Sequence, residues 1–330
     1  MACMLFQVQA TSLVTPDVHQ QNFLSRRLKF GMKPNRHLAM PRKAQTDDRI
    51  LDPGGYKDRV RQMWHKRAPE YDFQNDFHPQ LCEQLVAIAH IKPGKLNLLD
   101  VATGTGTVAL LAAQGLGPEG AVTAVDVSEA MLAKATEKAR AAKLHINCIA
   151  QDIEMASFPT GSFDYILCSN GMAYLQHPEA TLRKFHSWLR EGGKLCFNNP
   201  LVPMIPLAAI VRRLAAELFG LKVPDAAKVF GTPEAIQSLC KAAGFKDVQV
   251  TTTPEVKAYS ALDPEHFAGL VFYMVATFPA TPFDQLLSIR QLQQLRAAYM
   301  PEAVAMADGM RTGNEGVLLH FTMQWAIAMA

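Results

Sequence analysis

Short apolar runs alternate with amphipathic stretches along most of the chain. The runs Leu96–Val101, Ala121–Asp126, His145–Ala150, Phe163–Ser169, Lys194–Phe197 and Val248–Thr253 read as six strands. Most are apolar at successive positions rather than alternate ones, the pattern of a strand covered on both faces. Between them, helical spacing appears at Val60–Tyr71, from His78 onward (Leu81, Leu85, Ile88), at Val108–Leu116, from Ser128 to about Lys143, at Pro178–Leu189 and at Pro233–Ala243. Ser128 is a good N-cap, with Glu129 in the first turn, and Gly192-Gly193 and Gly244 stop the later helices. Alternation of this kind predicts an α/β fold: a doubly wound, mostly parallel, seven-stranded sheet. The seventh strand is Gly316–Ala328. The interval before it, Glu255–Asn314, is too long for a structureless loop. Helical patterns at Pro264–Thr277 and Pro282–Ala298 make it a cap inserted before the last strand. The expected divisions are a leader at 1–46, N-terminal helices at 47–95, an α/β core at 96–254 with a small helical insertion near 205–219, the cap at 255–315, and the final strand at 316–330.

Charge separates the leader from the rest. The 330 residues carry 33 Lys and Arg against 30 Asp and Glu. Seven of the basic residues, and only Asp17 among the acids, fall in 1–46, which leaves 26 basic against 29 acidic residues in the body. A basic, almost acid-free opening resembles an organellar transit sequence, plastid or mitochondrial; a plain basic tail in a cytoplasmic protein is the alternative. The slightly acidic body argues against a nucleic-acid partner. No apolar run reaches the roughly 20 residues needed to span a bilayer. The six cysteines form no C-x-x-C and no His-paired metal spacing, so they read as buried free thiols.

In an open parallel sheet, ligands bind at the carboxyl ends of the strands. The first strand ends in Asp100-Val101-Ala102-Thr103-Gly104-Thr105-Gly106, a turn whose glycines allow close backbone approach to a ligand. The second ends in Asp126-Val127, where a carboxylate suits a ribose diol. The third ends in Gln151-Asp152-Ile153, where a carboxylate and a backbone N–H suit the edge of adenine. The fourth ends in Ser169-Asn170, facing the reacting centre. Each signal alone also fits a tight turn or a helix-start acid. Together they describe an adenosyl pocket.

Order and spacing resemble the class I S-adenosylmethionine (SAM)-dependent methyltransferases, in particular the ubiquinone/menaquinone-biosynthesis branch. Leu98 to Gly106 is similar to the family's first motif, with Ala102 where many members have glycine. Leu189-Arg190-Glu191-Gly192-Gly193-Lys194-Leu195 is similar to its turn into strand five. Trp64, Ala68, Tyr71 and Asp72 match a W-x-x-x-A-x-x-Y-D stretch of its small-molecule members. The resemblance implies SAM as cofactor, held by Tyr71, Asp100, Ala102, Thr103, Gly104, Gly106, Asp126, Val127, Asp152, Ile153, Ser169 and Asn170. It implies no metal and a small-molecule methyl acceptor. The apolar cap (Phe267, Leu270, Phe272, Tyr273, Met274, Phe278) suits an apolar or aromatic acceptor methylated on oxygen or carbon, although packing of the cap on the sheet explains most of these positions. His177 is the candidate base and Tyr174 a candidate for orienting substrate. Two alternatives stay open. Gly104 to Ala109 also satisfies the G-x-G-x-x-A of NAD(P)-dependent oxidoreductases, and a methyltransferase-like fold can serve as a non-catalytic binding subunit.

Overall fold

A computed structural model describes residues 53–72, 77–201, 205–221, 229–253, 256–260, 262–277, 283–311 and 316–330. The leader, and Phe278 of the cap, lie outside the described residues. Two helices, α1 (Pro53–Arg67) and α2 (Phe77–Ala89), precede the sheet. Then come β1 (Asn97–Val101), α3 (Thr107–Leu116), β2 (Ala121–Asp126), α4 (Glu129–Ala141), β3 (Ile146–Ala150), β4 (Phe163–Ser169), α5 (Pro178–Trp188), β5 (Leu189–Pro200), α6 (Pro206–Phe219), α7 (Pro233–Ala242) and β6 (Lys246–Thr252). The cap follows as β7 (Val256–Ser260), α8 (Pro264–Ala276), a single turn α9 (Phe283–Leu286), α10 (Ile289–Asp308) and β8 (Val317–Phe321), and β9 (Met323–Met329) closes the chain.

The seven-stranded sheet has the order β3-β2-β1-β4-β5-β9-β6. The first five strands are parallel, and β9 runs antiparallel to both its neighbours. Strand order reverses between β1 and β4, and that reversal opens the ligand crevice of such sheets. Consecutive residues of β1 serve opposite cores. Leu98 packs with Leu85 and Val108 on one face, and Leu99 with Ile166, Leu182 and Phe185 on the other. A strand needed by two cores cannot alternate polar and apolar residues, which explains the adjacent leucines. Ser128 caps α4 by accepting from Met131 N–H, and Thr232 caps α7 by accepting from Ala235 N–H.

The cap departs from the sequence expectation in two places. The final strand is two strands, broken at Thr322: β8 leaves the sheet and pairs with β7, and only β9 enters it. A two-stranded ribbon therefore accompanies the cap's helices. The last cap helix runs to Asp308 and continues through Pro301. A proline inside a helix costs about 3 kcal/mol. Burial of Leu295, Tyr299, Ala303 and Ala307 on one face offsets that cost, aided by the Tyr299 hydroxyl donating to Ala268 O at 3.1 Å. Phe267, Phe272 and Met274 are buried in the core shared with the sheet, in line with the packing reading of the cap's apolar positions, whereas Tyr273 is 44% exposed.

Candidate active site

β1 leaves the core at Asp100 and Val101, and the following residues turn sharply into α3. Thr103 N–H donates to Val125 O on β2 (3.1 Å) and Gly106 N–H to Thr103 O (2.9 Å), which fixes the turn against the next strand. Ala102 sits at φ 53°, a left-handed backbone unusual for a residue with a Cβ. It is exposed, and a Cβ placed on Gly104 would meet nothing within 4 Å. The turn therefore offers backbone, rather than side chains, to open space.

Asp126 folds back onto this turn. Its Oδ2 accepts from Gly104 N–H at 2.9 Å and its Oδ1 from Ser128 N–H at 2.8 Å. Each oxygen keeps a second lone pair for a ligand hydroxyl. Burial pushes its pKa up, and the Ser128, Gly104 and Val127 amides pull it back. Asp100 lies deeper. Thr103 Oγ1 donates to its Oδ2 at 2.5 Å, while Oδ1 has no hydrogen-bond partner among the described residues. Burial pushes the Asp100 pKa up to about 7, with the Thr103 hydroxyl and the nearby Ala109 amide opposing. An unpartnered buried acceptor costs on the order of 1–3 kcal/mol, a cost that a ligand ammonium would remove.

The third strand end adjoins the second, since Gln151 N–H donates to Asp126 O at 3.0 Å. Half-buried Asp152 accepts from Glu154 N–H (3.1 Å) and pairs with Lys57 Nζ of α1 (3.1 Å), and Ile153 is buried beside it. Lys57 also pairs with Glu154 and donates to Tyr174 O at 3.3 Å. Glu154 in turn accepts from the backbone N–H groups of Gln176 (2.9 Å) and His177 (2.7 Å). One lysine thus ties α1 to the adenine-edge acid and to the loop after β4. Neither Lys57 nor Glu154 belongs to a motif, so sequence reading missed both.

The fourth strand ends in a polar cluster. Asn170, at φ 56°, donates its N–H to Asn198 Oδ1 at 2.8 Å, and Asn198 Nδ2 donates to Ser169 Oγ at 3.3 Å. Asn170 Nδ2 lies 3.4 Å from His78 Nδ1. His78 is buried, and burial pushes its pKa down to about 3. Its ring stacks on Tyr71 with centroids 5.7 Å apart, Tyr71 meets Trp64 edge-on at 5.9 Å, and Trp64 meets Tyr174 at 5.7 Å. Asp72 fastens this aromatic group to the glycine turn by accepting from Thr105 Oγ1 (2.6 Å) and Lys138 Nζ (3.1 Å). His177 is the exposed N-cap residue of α5. Its backbone is held by Glu154, and it is not joined to the Asn170–His78 group.

The ends of β1, β2 and β3 thus bring a glycine turn and three acids side by side, and the end of β4 joins them to the aromatic segment through Asn170 and His78. The residues fit an adenosyl sulfonium donor. Asp100 Oδ1 lacks a partner that an ammonium supplies, Asp126 has spare acceptors for a diol, and the space at Gly104 admits the ligand chain. The antiparallel β9 between β5 and β6 distinguishes this sheet from the 3-2-1-4-5-6 order of dinucleotide folds.

Comparison with known proteins agrees. Residues 98–193 match the family described as a methyltransferase domain. Over 156 residues the chain is 31% identical to the demethylmenaquinone methyltransferase of Listeria welshimeri, covering 46% of this chain and 66% of that protein. It is 29% identical over 189 residues to the nocamycin O-methyltransferase of Saccharothrix syringae, covering 53% of this chain and 67% of that one. The YcgJ protein of Bacillus subtilis shares the fold, with a TM-score of 0.51 at 15% identity over 76% of this chain and 98% of that one. Residues 98–193 are thus a methyltransferase domain, and the chain is related to class I SAM-dependent methyltransferases of the menaquinone-methylating branch. It spans just under two thirds of the length of the first of these relatives.

Proposed function

We propose that the protein transfers a methyl group from SAM to oxygen or carbon of a small, apolar or aromatic metabolite. The observation that carries this reading is the placement of Asp100 and Asp126 around the glycine turn, one with an unpartnered oxygen and the other bonded to Gly104 N–H. Asp100 would hold the methionine ammonium, Asp126 the ribose hydroxyls, Asp152 and Ile153 the adenine edge, and Tyr71 the methionine end. A sulfonium methyl group is already activated, because its leaving group is a neutral thioether. The chain's task is then to align the acceptor in line with the S–CH3 bond and to exclude water. The Asn170–Asn198 pair fixes the β4 end, and the Trp64–Tyr71–Tyr174 group closes over it. Among the described residues no helix is long and apolar enough to cross a membrane, which suits an acceptor met in water.

Asp126→Ala is expected to weaken S-adenosylhomocysteine (SAH) binding by about 1–3 kcal/mol in a calorimetric titration, the scale for losing hydrogen bonds to a charged acceptor. Unchanged affinity in the folded variant would place the ribose elsewhere. Binding of NAD(H) without any SAH heat would overturn the whole reading in favour of an oxidoreductase. Where the acceptor is a hydroxyl, His177 is the proposed base and Tyr174 orients the substrate. His177→Ala then lowers turnover by about 10²-fold with SAH affinity intact. Normal turnover would leave alignment and water exclusion as the whole of catalysis.

A further inference from the structure

Arg67, the last residue of α1, is half-buried. Its guanidinium carbon lies 5.0 Å from the centre of the Trp64 ring. Trp64 in turn meets Tyr71 and Tyr174 edge-on, with ring centres 5.9 and 5.7 Å apart, and Tyr273 lies near the guanidinium. Among the described residues no carboxylate pairs with it. Arg190 and Arg213 differ in this respect: both are more exposed, and Asp164 pairs with the first, Glu217 and Glu302 with the second. Burial lowers the Arg67 pKa from its ordinary value, but a guanidinium stays protonated in proteins. Burial also pushes the phenols of Tyr71 and Tyr174 up, so neither supplies a negative charge. A desolvated cation among neutral rings calls for a counter-charge that none of the described residues supplies.

The position of this cation shows where the counter-charge would come from. Trp64 and Tyr71 belong to the segment that covers the cofactor crevice, and Tyr174 to the loop after β4. Tyr273 belongs to cap helix α8 and is 44% exposed, which leaves a way in from solvent. Arg67 therefore stands between the cofactor cover and the cap. We propose that it is the anion-holding end of the acceptor site, and that the acceptor is an aromatic or apolar acid carrying a carboxylate. The planar fork of Arg67 binds that group through paired charge-assisted hydrogen bonds, and the surrounding rings pack on the acceptor's apolar part. This inference rests on the methyl-transfer reading, and it narrows the substrate class within it.

The cofactor's own carboxylate is the other source of such a group, so the test separates the two. Benzoate serves as the probe, titrated into the full chain with and without saturating SAH and followed by calorimetry. SAH and 5′-methylthioadenosine, which has no amino-acid end, are titrated separately. Wild-type protein is expected to bind benzoate at millimolar concentration, and Arg67→Gln to weaken that binding about tenfold or more. SAH affinity stays within about threefold, the small effect expected when no contact to a ligand is lost. Arg67→Lys keeps the charge without the fork and recovers only part of the benzoate affinity. It also gives the same reading if Arg67→Gln does not fold. Equal benzoate affinity in the variants, or no benzoate binding to the wild type, overturns the proposal. So does a loss of SAH affinity with 5′-methylthioadenosine unaffected, which assigns Arg67 to the cofactor. Failure of SAH to bind the wild type is a separate outcome that removes the methyl-transfer reading, because the benzoate arm without SAH reports on the anion site by itself.

Discussion

Gly106→Ala is expected to cost stability, and Gly104→Ala to cost cofactor affinity, although both add the same methyl group to the same turn. Gly106 lies at φ 86°, and an added Cβ would stand 2.7 Å from Ala135 Cβ and 3.1 Å from Ala135 Cα on α4. Neither atom is the tip of a flexible side chain, so the helix or the turn must shift. Overpacking of this kind costs about 1–3 kcal/mol, and a left-handed backbone adds roughly 1–2 kcal/mol for a residue with a Cβ. For a chain of this size the thermal midpoint should fall by about 5–15 °C. Gly104, at φ 57°, has open space where its Cβ would go. Its alanine variant bears only the backbone strain, so its midpoint should fall by only a few degrees, at roughly 2–4 °C for each kcal/mol. That open space is the approach path proposed for the ligand, however, and SAH affinity should fall tenfold or more, the scale of a lost close contact with a charged ligand. Thermal unfolding followed by calorimetry reads both. A stable Gly104→Ala protein with wild-type SAH affinity would show that the ligand does not pass over this turn.

The sheet and the crevice were legible because their signals are local. Asp100, Gly104, Gly106, Asp126 and Asp152 all sit at the ends of apolar runs, and a strand end is recognisable wherever a buried run meets a turn. Residues that act across the fold left no such trace. Lys57 reaches Asp152 and Glu154 from a helix nearly 100 positions away, and no spacing rule encodes that meeting. Asn198 was hidden because the strand-five reading stopped at Phe197, whereas the strand runs to Pro200. Its amide is polar in sequence but fully buried, satisfied by Ser169 and Asn170 on the neighbouring strand end. The split between β8 and β9 was missed for a related reason. Val317 to Met329 keeps a nearly unbroken apolar character, and only the pairing of Val256–Ser260 with its first half diverts that half from the sheet. Arg67 reads as one more basic residue at a helix end, and only the lack of a carboxylate partner among the described residues gives it meaning.

SAH affinity is expected to rise with pH up to about neutrality, through Asp100. Its pKa is about 7 in the folded protein, because burial penalises the charged form, against about 3.9 for an unperturbed aspartate. Between those values the folded chain holds a proton that the unfolded chain has released. The contribution of Asp100 to stability is therefore full below about pH 4 and is lost as pH rises through about 7. Cofactor binding reverses that preference. An ammonium placed against the unpartnered Oδ1 favours the carboxylate, so binding below about pH 7 expels the proton, and affinity should climb toward tenfold per pH unit before levelling off. The α-ammonium of SAH is charged throughout this range, so the slope belongs to the protein. Asp126 also has a raised pKa, but 5′-methylthioadenosine carries the same ribose without the ammonium and serves as its control. The slope should be steeper for SAH than for the truncated ligand, whose own slope reports Asp126 alone. Asp100→Asn keeps an oxygen for the Thr103 hydroxyl while removing the titration. It should bind SAH with only the slope of the truncated ligand over about pH 5.5–8, and at the alkaline end about tenfold or more weakly than the wild type, as expected for losing a charge-assisted bond. A flat wild-type profile would mean that the buried carboxylate never meets the ammonium, and the orientation of the cofactor along β1 would have to be reversed.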